Sequence, residues 1–181
     1  MVVVLFAERQ LDEVLRLAGM IARAFAGRTP NGHVALAYDG NGHKDDAYRV
    51  IDTTTLTPRE VFVRMRQLAD VGMTVVTASS GRTERSLATF DAADRILLVA
   101  DLSVPSIRGL QRTIKLCDSL GIARERTPVV LYDCREDAGV TPTEAANVLP
   151  REVFAFLPPG PDGPADHAAC AALVDRLLML A

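Results

Sequence analysis

The chain has 181 residues, of which 49% are apolar, so it can bury one sizeable core and is expected to form a single domain over residues 1–181. Its net charge is −3 at pH 7, and no run of Lys or Arg supplies a basic face. This balance argues against non-specific binding to nucleic acid.

The cysteines suggest a reducing compartment, and the N-terminus suggests that the protein stays in the cytoplasm. Cys117, Cys134 and Cys170 lie far apart and lack the paired spacing of a zinc site or a redox dithiol. His33 and His43 have no partners at ligand spacing, so we expect no metal. The N-terminus has no basic leader, and no apolar run approaches the ~20 residues that cross a bilayer. We expect a cytoplasmic protein without a transmembrane segment.

Six short runs rich in Val, Ile and Leu predict strands, at residues 2–6, 34–38, 73–77, 95–100, 128–132 and 152–157. Continuous apolar runs are typical of parallel strands that are covered on both faces. Helical patterns separate most of these runs. The alternation predicts a doubly wound α/β fold, with a mainly parallel sheet flanked by helices and right-handed crossovers.

Helix start and stop signals support this order. The first helix runs from Leu11 to Phe25 at helical spacing, and Gly27 follows as a stop. Thr57-Pro58-Arg59-Glu60 and Thr141-Pro142-Thr143-Glu144 each predict a capping box with proline at the first helical position. A further pattern runs from Ile107 to Leu120 and stops at Gly121, and the last one covers Cys170 to Leu178.

The connection after the first strand lacks the chemistry of a phosphate-binding loop. A glycine-rich turn and a lysine normally hold phosphate at this place. Here no glycine occurs between Val2 and Ala18, and Glu8, Asp12 and Glu13 are negative where an anion would lie. The position is retained, and the residues predict that its function is lost.

Other loops offer two candidate anion sites. Ser79, Ser80, Gly81, Arg82 and Thr83 form the better one, because hydroxyls, backbone N–H groups and two arginines, counting Arg85, can hold a phosphate or sulfate. A helix-capping loop explains the same residues. Residues 40–44, Gly-Asn-Gly-His-Lys, are glycine-rich beside Lys44, but Asp45 and Asp46 would repel phosphate, and a surface turn is the better account.

Three further features have simpler explanations than a functional site. Cys134 beside Arg135 suggests a nucleophile, yet the arginine spacing of a phosphatase loop is missing. Asp166 and His167 suggest acid–base chemistry, yet no serine elbow accompanies them, which favours a surface pair near a helix start. The apolar terminal helix could touch a membrane, but without a basic cluster it is expected to pack against the sheet.

The second half of the chain resembles a known family. Residues 93–99 (ADRILLV), 101–108 (DLSVPSIR) and 116–121, followed by 129–133 (VVLYD) and 153–158 (VFAFLP), are similar to segments of the MinD/ParA superfamily of P-loop ATPases. The CpaE/TadZ branch, associated with pilus assembly at the cell pole, is the most similar in character. The resemblance implies a P-loop NTPase-like fold, protein partners and a homodimer across the nucleotide face, and it leaves room for peripheral recruitment to a membrane.

All three family motifs depart from their pattern. The signature K-G-G-x-G-K-[ST] would fall near Glu8 to Leu15, where its glycines and lysines are absent. The motif D-x-P-P-G would fall on residues 77–81, with Thr77 in place of the aspartate. Tyr132 stands where an asparagine reads adenine. Asp39, at the end of the second predicted strand, is the one acid at a family-like position.

These departures predict a degenerate relative that acts as a scaffold or localisation factor, without catalytic residues and without ATP or Mg²⁺ as cofactor. Arg9, Arg82 and Arg85 are candidates to face acidic residues across a dimer. Two other hypotheses stay open. One is an active ATPase with an atypical Walker motif, and the other is a small-molecule enzyme on an unrelated doubly wound sheet.

Overall fold

The computed structural model describes residues 1–8, 11–29, 33–38, 47–78, 83–133, 139–161 and 163–180. The strands are β1 (Val2–Phe6), β2 (His33–Tyr38), β3 (Arg49–Asp52), β4 (Gly72–Ala78), β5 (Arg95–Asp101), β6 (Val129–Tyr132) and β7 (Val153–Leu157). The helices are α1 (Leu11–Ala26), α2 (Pro58–Val71), α3 (Glu84–Ala92), α4 (Val104–Ser119), α5 (Pro142–Val148) and α6 (His167–Met179).

The strands form one sheet in the order β3-β2-β4-β1-β5-β6-β7, and every neighbouring pair is parallel. The predicted fold class is confirmed. The six predicted strands are present, with ends that shift by one residue. The strand β3 was not predicted, because Arg49–Asp52 has only two apolar residues and lies half exposed at the sheet edge.

Two apolar layers cover the sheet. On one face, α1 and α6 pack over Val3 and Leu5 of β1 and form the first core cluster. On the other face, residues of α2, α3, α4 and α5 pack over Val2, Val4 and Phe6. Because both faces are buried, each central strand reads as a continuous apolar run.

The predicted helix signals are confirmed where the structure describes them. The Thr57 side chain accepts the Glu60 N–H while the Glu60 carboxylate accepts the Thr57 N–H, which completes the capping box of α2. Thr141 and Glu144 do the same for α5. After α4, Gly121 adopts φ = 68°, a conformation that glycine enters at little cost.

The terminal helix packs as expected. Its residues Cys170, Leu173, Val174 and Leu177 are buried in the first core cluster. Within the described ranges, no helix combines the length and apolarity needed to cross a bilayer.

Candidate functional site

The carboxyl end of β1 is where this topology opens a crevice. The helix that follows β1 lies on one face of the sheet, whereas α3 and α4, which follow its neighbours β4 and β5, lie on the other face. Ligands of doubly wound sheets bind at such a switch point. The residues at this edge therefore decide what the fold can bind.

The connection from β1 to α1 is short. Since β1 ends at Phe6 and α1 begins at Leu11, a phosphate-loop signature that starts at Glu8 runs into the first turn of the helix. Its second lysine would fall on Glu13 and its hydroxyl on Val14. The Val14 side chain is buried in the core and has no hydroxyl to offer Mg²⁺.

Glu8 is tied to α4. Its Oε2 accepts a hydrogen bond from Nη2 of Arg112 at 2.7 Å, and its Oε1 accepts one from the Thr113 hydroxyl at 3.3 Å. A Cβ on Gly109 would lie 2.8 Å from Glu8 Oε2, so the glycine makes room for the carboxylate. The Arg112 guanidinium, which could otherwise attract an anion to this edge, is already paired with a carboxylate of the chain.

Two more carboxylates are buried near this edge. Asp101, at the end of β5, is 2% exposed; its Oδ1 accepts the Ser103 N–H at 2.8 Å, and its Oδ2 has no hydrogen-bond partner among the described residues. Oε2 of Glu13 is likewise buried without a described partner. Asp12 and Glu13 occupy the first turn of α1, so the positive end of its dipole already faces acids of the same chain.

The sequence predicts the acidic turn at Glu8, Asp12 and Glu13. It does not predict the Glu8–Arg112 pair or the buried Asp101. The pairing of Glu8 with Arg112 joins residues 104 positions apart, and no local pattern reveals it. Asp101 had a usable signal, because it is an acid directly after an apolar strand run and two residues before Ser103, which caps α4.

The other family positions show no nucleotide chemistry in the described residues. Thr77 lies in β4 opposite Leu5 of β1. Tyr132 is 1% exposed and belongs to the first core cluster rather than to an open base-binding surface.

Of the predicted anion site, only Thr83 lies among the described residues; Ser79, Ser80, Gly81 and Arg82 lie outside them. The Thr83 side chain accepts the Ser86 N–H at 3.2 Å and caps α3, which is the role that the helix-capping alternative gave it. Beside it, a cavity of about 10 Å³ lies among Thr77, Arg85 and neighbouring side chains. That volume suits one water and is too small for phosphate. Anion binding at residues 79–83 stays a prediction.

Several other candidates lie outside the described residues: Arg9, Asp39, residues 40–46, Cys134 and Arg135. Asp166 caps α6 by accepting the Ala169 N–H at 3.0 Å, and His167 is exposed beside it, so the surface-pair interpretation is confirmed. In the part of the chain that is described, no cluster of three or more His, Cys, Asp or Glu side chains could hold a metal ion.

The two described cysteines are buried. Burial raises the pKa of the Cys170 thiol to about 11, and the nearby Asp166 carboxylate acts in the same direction. Burial also raises the pKa of Cys117, against the opposing charge of Arg151. A thiol with a raised pKa is a poor nucleophile, so neither cysteine suits covalent catalysis.

Comparison with solved structures places this architecture among doubly wound P-loop NTPase-like folds. The chain is similar to MinD in the MinC:MinD cell division protein complex of Aquifex aeolicus, with TM-score 0.78 and 15% identity over 98% of this chain and 96% of that one. It is also similar to a ParA family ATPase from Chlorobium tepidum, with TM-score 0.76 and 15% identity over 98% of each chain. For the cell division ATPase MinD of Pyrococcus furiosus, the TM-score is 0.76 and the identity is 14% over 99% of each chain.

The particular fold is therefore that of the MinD and ParA ATPases. No family model matches the sequence, and no curated protein matches it. At this level of identity the likeness concerns the fold, and the chemistry must be argued from the chain's own residues.

Proposed function

We propose that this chain is a pseudo-ATPase of MinD/ParA type, related to the CpaE/TadZ branch, that acts as a scaffold or localisation factor through protein–protein contacts. Its pathway would be pilus or secretion assembly, or partitioning. The observation that carries the proposal is the acidic crevice at the carboxyl end of β1. It lies where the fold binds ligands, and the described residues give it carboxylates in place of phosphate-binding groups.

The charges explain why a triphosphate would bind poorly. Bringing its negative charges near Glu13 and the buried Asp101 costs electrostatic energy that a low-dielectric site screens weakly. Arg112 could offset part of this cost only by releasing Glu8, which would leave that carboxylate with the Thr113 hydroxyl as its remaining described partner.

The same edge supports a protein contact. Leu87 in the first turn of α3 and Val104 at the start of α4 are each 43% exposed. Both helices follow parallel strands, so both side chains lie toward the carboxyl edge. Exposed apolar side chains beside a charged rim are typical of an interface. Protein partners also agree with the MinC-bound form of one similar structure.

Nucleotide binding is tested by thermal unfolding during titration with Mg·ATP. A ligand at a hundred times its Kd stabilises a protein by about 2.7 kcal/mol, which is easily detected. We expect neither stabilisation by Mg·ATP nor magnesium-dependent release of phosphate. Turnover that a Lys44→Ala change abolishes would contradict the proposal and favour an active ATPase with an atypical motif.

The contact surface is tested by a double change, Leu87→Asp with Val104→Asp, and Leu120→Asp is the matched control. Leu120 is 49% exposed but lies at the other end of α4. We expect sedimentation to show a wild-type dimer that the double change converts to monomer and the control leaves intact. A monomeric wild type, or a dimer that resists the double change, would contradict self-association at this edge.

A further inference from the structure

A pocket of different chemistry lies at the amino ends of the strands, on the opposite side of the sheet from the β1 crevice. It has a volume of about 450 Å³ and is formed where β5, β6 and β7 begin and α6 ends. Its charged lining is Arg95, Arg124, Arg151 and Arg176 with Glu125 and Glu152, and its apolar lining includes Pro128, Phe154 and Leu180. The four arginines outnumber the two glutamates, and even with Arg151 paired to Asp118 the pocket keeps a net positive charge in a chain of net charge −3.

Three of the arginines are held in place by the backbone. Arg95 donates to the carbonyls of Asp94, at 2.9 Å, and Leu180. Arg151 donates to the Thr127 carbonyl at 3.3 Å, and Arg176 donates to the Phe154 carbonyl. Fixed guanidinium groups lose little side-chain entropy when a ligand arrives, so these contacts preorganise the pocket.

One of the arginines keeps its donors free. The Arg151 side chain is only 6% exposed and pairs with Asp118, and the Nε atoms of Arg151 and Arg95 are buried, so these two side chains contribute positive charge more than reachable donors. Arg124 is exposed and makes no side-chain hydrogen bond or ion pair with any described residue. Glu125 and Glu152 form no ion pair with the pocket arginines among those residues. Unsatisfied guanidinium groups are strong binding sites for carboxylate or phosphate oxygens.

The apolar lining adds a second requirement. The Arg176 guanidinium lies over the Phe154 ring, 4.0 Å from its centre, and Pro128 and Leu180 also line the pocket. Such a wall binds an apolar or aromatic group better than it binds water. The volume is within the usual range for small-molecule sites, roughly 300 to 1,000 Å³.

We propose that this pocket binds a small organic anion, whose phosphate or carboxylate group contacts the arginines and whose apolar part lies against Phe154 and Pro128. The pocket is separated from the β1 crevice by the length of the strands. The inference therefore does not depend on the proposed function, and either can fail without the other.

Isothermal titration calorimetry of the full chain tests this site with three probes: phenyl phosphate, phenylacetate and inorganic phosphate. We expect at least one aromatic anion to bind with one-to-one stoichiometry and about tenfold more tightly than inorganic phosphate. If phenyl phosphate binds more tightly than phenylacetate, the natural ligand carries a phosphate; the reverse order indicates a carboxylate.

Arg124→Gln is the decisive variant, because this exposed side chain supports no contact of the described fold. We expect it to weaken binding at least tenfold, and Arg176→Gln should do the same. Arg59→Gln, an exposed arginine on α2, should leave binding unchanged. Failure of both aromatic anions to bind, equal affinity in wild type and Arg124→Gln, or inorganic phosphate binding as tightly as the aromatic anions would overturn the proposal.

Discussion

At the level of single residues, Glu8 shows how one side chain changes what the connection after β1 can bind. In a phosphate loop this region would present backbone N–H groups and lysine to an anion. In this chain the Glu8 carboxylate reaches α4 and accepts hydrogen bonds from Arg112 and Thr113, and Gly109 leaves room for it. The side chain has become part of the packing between β1 and α4.

A double-mutant cycle tests the contribution of this contact. Glu8→Ala and Arg112→Ala should show a coupling free energy of about 0.5 to 1 kcal/mol in urea unfolding, since Glu8 is only 24% exposed. The matched control is the pair of Arg66 and Asp94, at 3.4 Å and more exposed at its acid, where we expect a coupling near zero. A Glu8–Arg112 coupling no larger than the control would show that the contact adds no stability.

Cys170 allows a test of burial. Because its pKa is about 11 in the folded protein, the thiolate is a minor species at pH 8, and reaction with iodoacetamide should be slow. Peptide mapping by mass spectrometry should show rapid labelling of Cys170 only after unfolding in guanidinium. Rapid labelling of the native protein would mean that α6 does not stay packed on the sheet.

At the scale of elements, the sequence predicts what depends on local chemistry. The capping boxes at Thr57 and Thr141 could be read because every interacting group lies within four residues. The buried strands could be read from their apolar runs. Strand β3 could not, because Arg49–Asp52 pairs only with β2 and owes its conformation to tertiary context.

The capping box of α2 should stabilise the fold measurably. Thr57→Ala removes the acceptor for the Glu60 N–H and should cost about 1 kcal/mol in chemical unfolding. Thr55→Ala is the control, since Thr55 is exposed nearby and makes no side-chain hydrogen bond to a described residue. Equal effects of the two changes would show that the cap is not the cause.

The same box predicts a pH dependence. The backbone N–H and hydroxyl of Thr57 donate to Glu60 and lower its pKa below the ordinary value of 4.5. A lowered folded pKa contributes stability that is present above the unfolded value and is lost as pH falls through the folded value. The destabilisation by Glu60→Gln should therefore be larger at pH 7 than at pH 3 when unfolding is followed by circular dichroism. A difference that does not change with pH would contradict this assignment.

At the scale of the whole molecule, the two edges of the sheet carry opposite chemistry in the described residues. The carboxyl edge presents Glu8, Glu13 and Asp101, whereas the amino edge presents the arginine pocket around Arg151. The acids near the first strand could be predicted from their order in the chain. The arginine pocket could not, because its residues come from three strand starts, the 3-10 turn Arg124–Arg126 before β6 and a helix end, which only the fold brings together.

We propose that the crevice at the carboxyl end of β1 does not bind a triphosphate. Backbone amide NMR during titration with Mg·ATP tests it most directly, because the spectrum locates binding and separates this crevice from the arginine pocket. We predict that the amide signals of Ala7, Glu8, Asp12 and Ser103 stay unchanged up to millimolar nucleotide. Saturable shifts of these four signals, with those around Arg124 unaffected, would contradict the account.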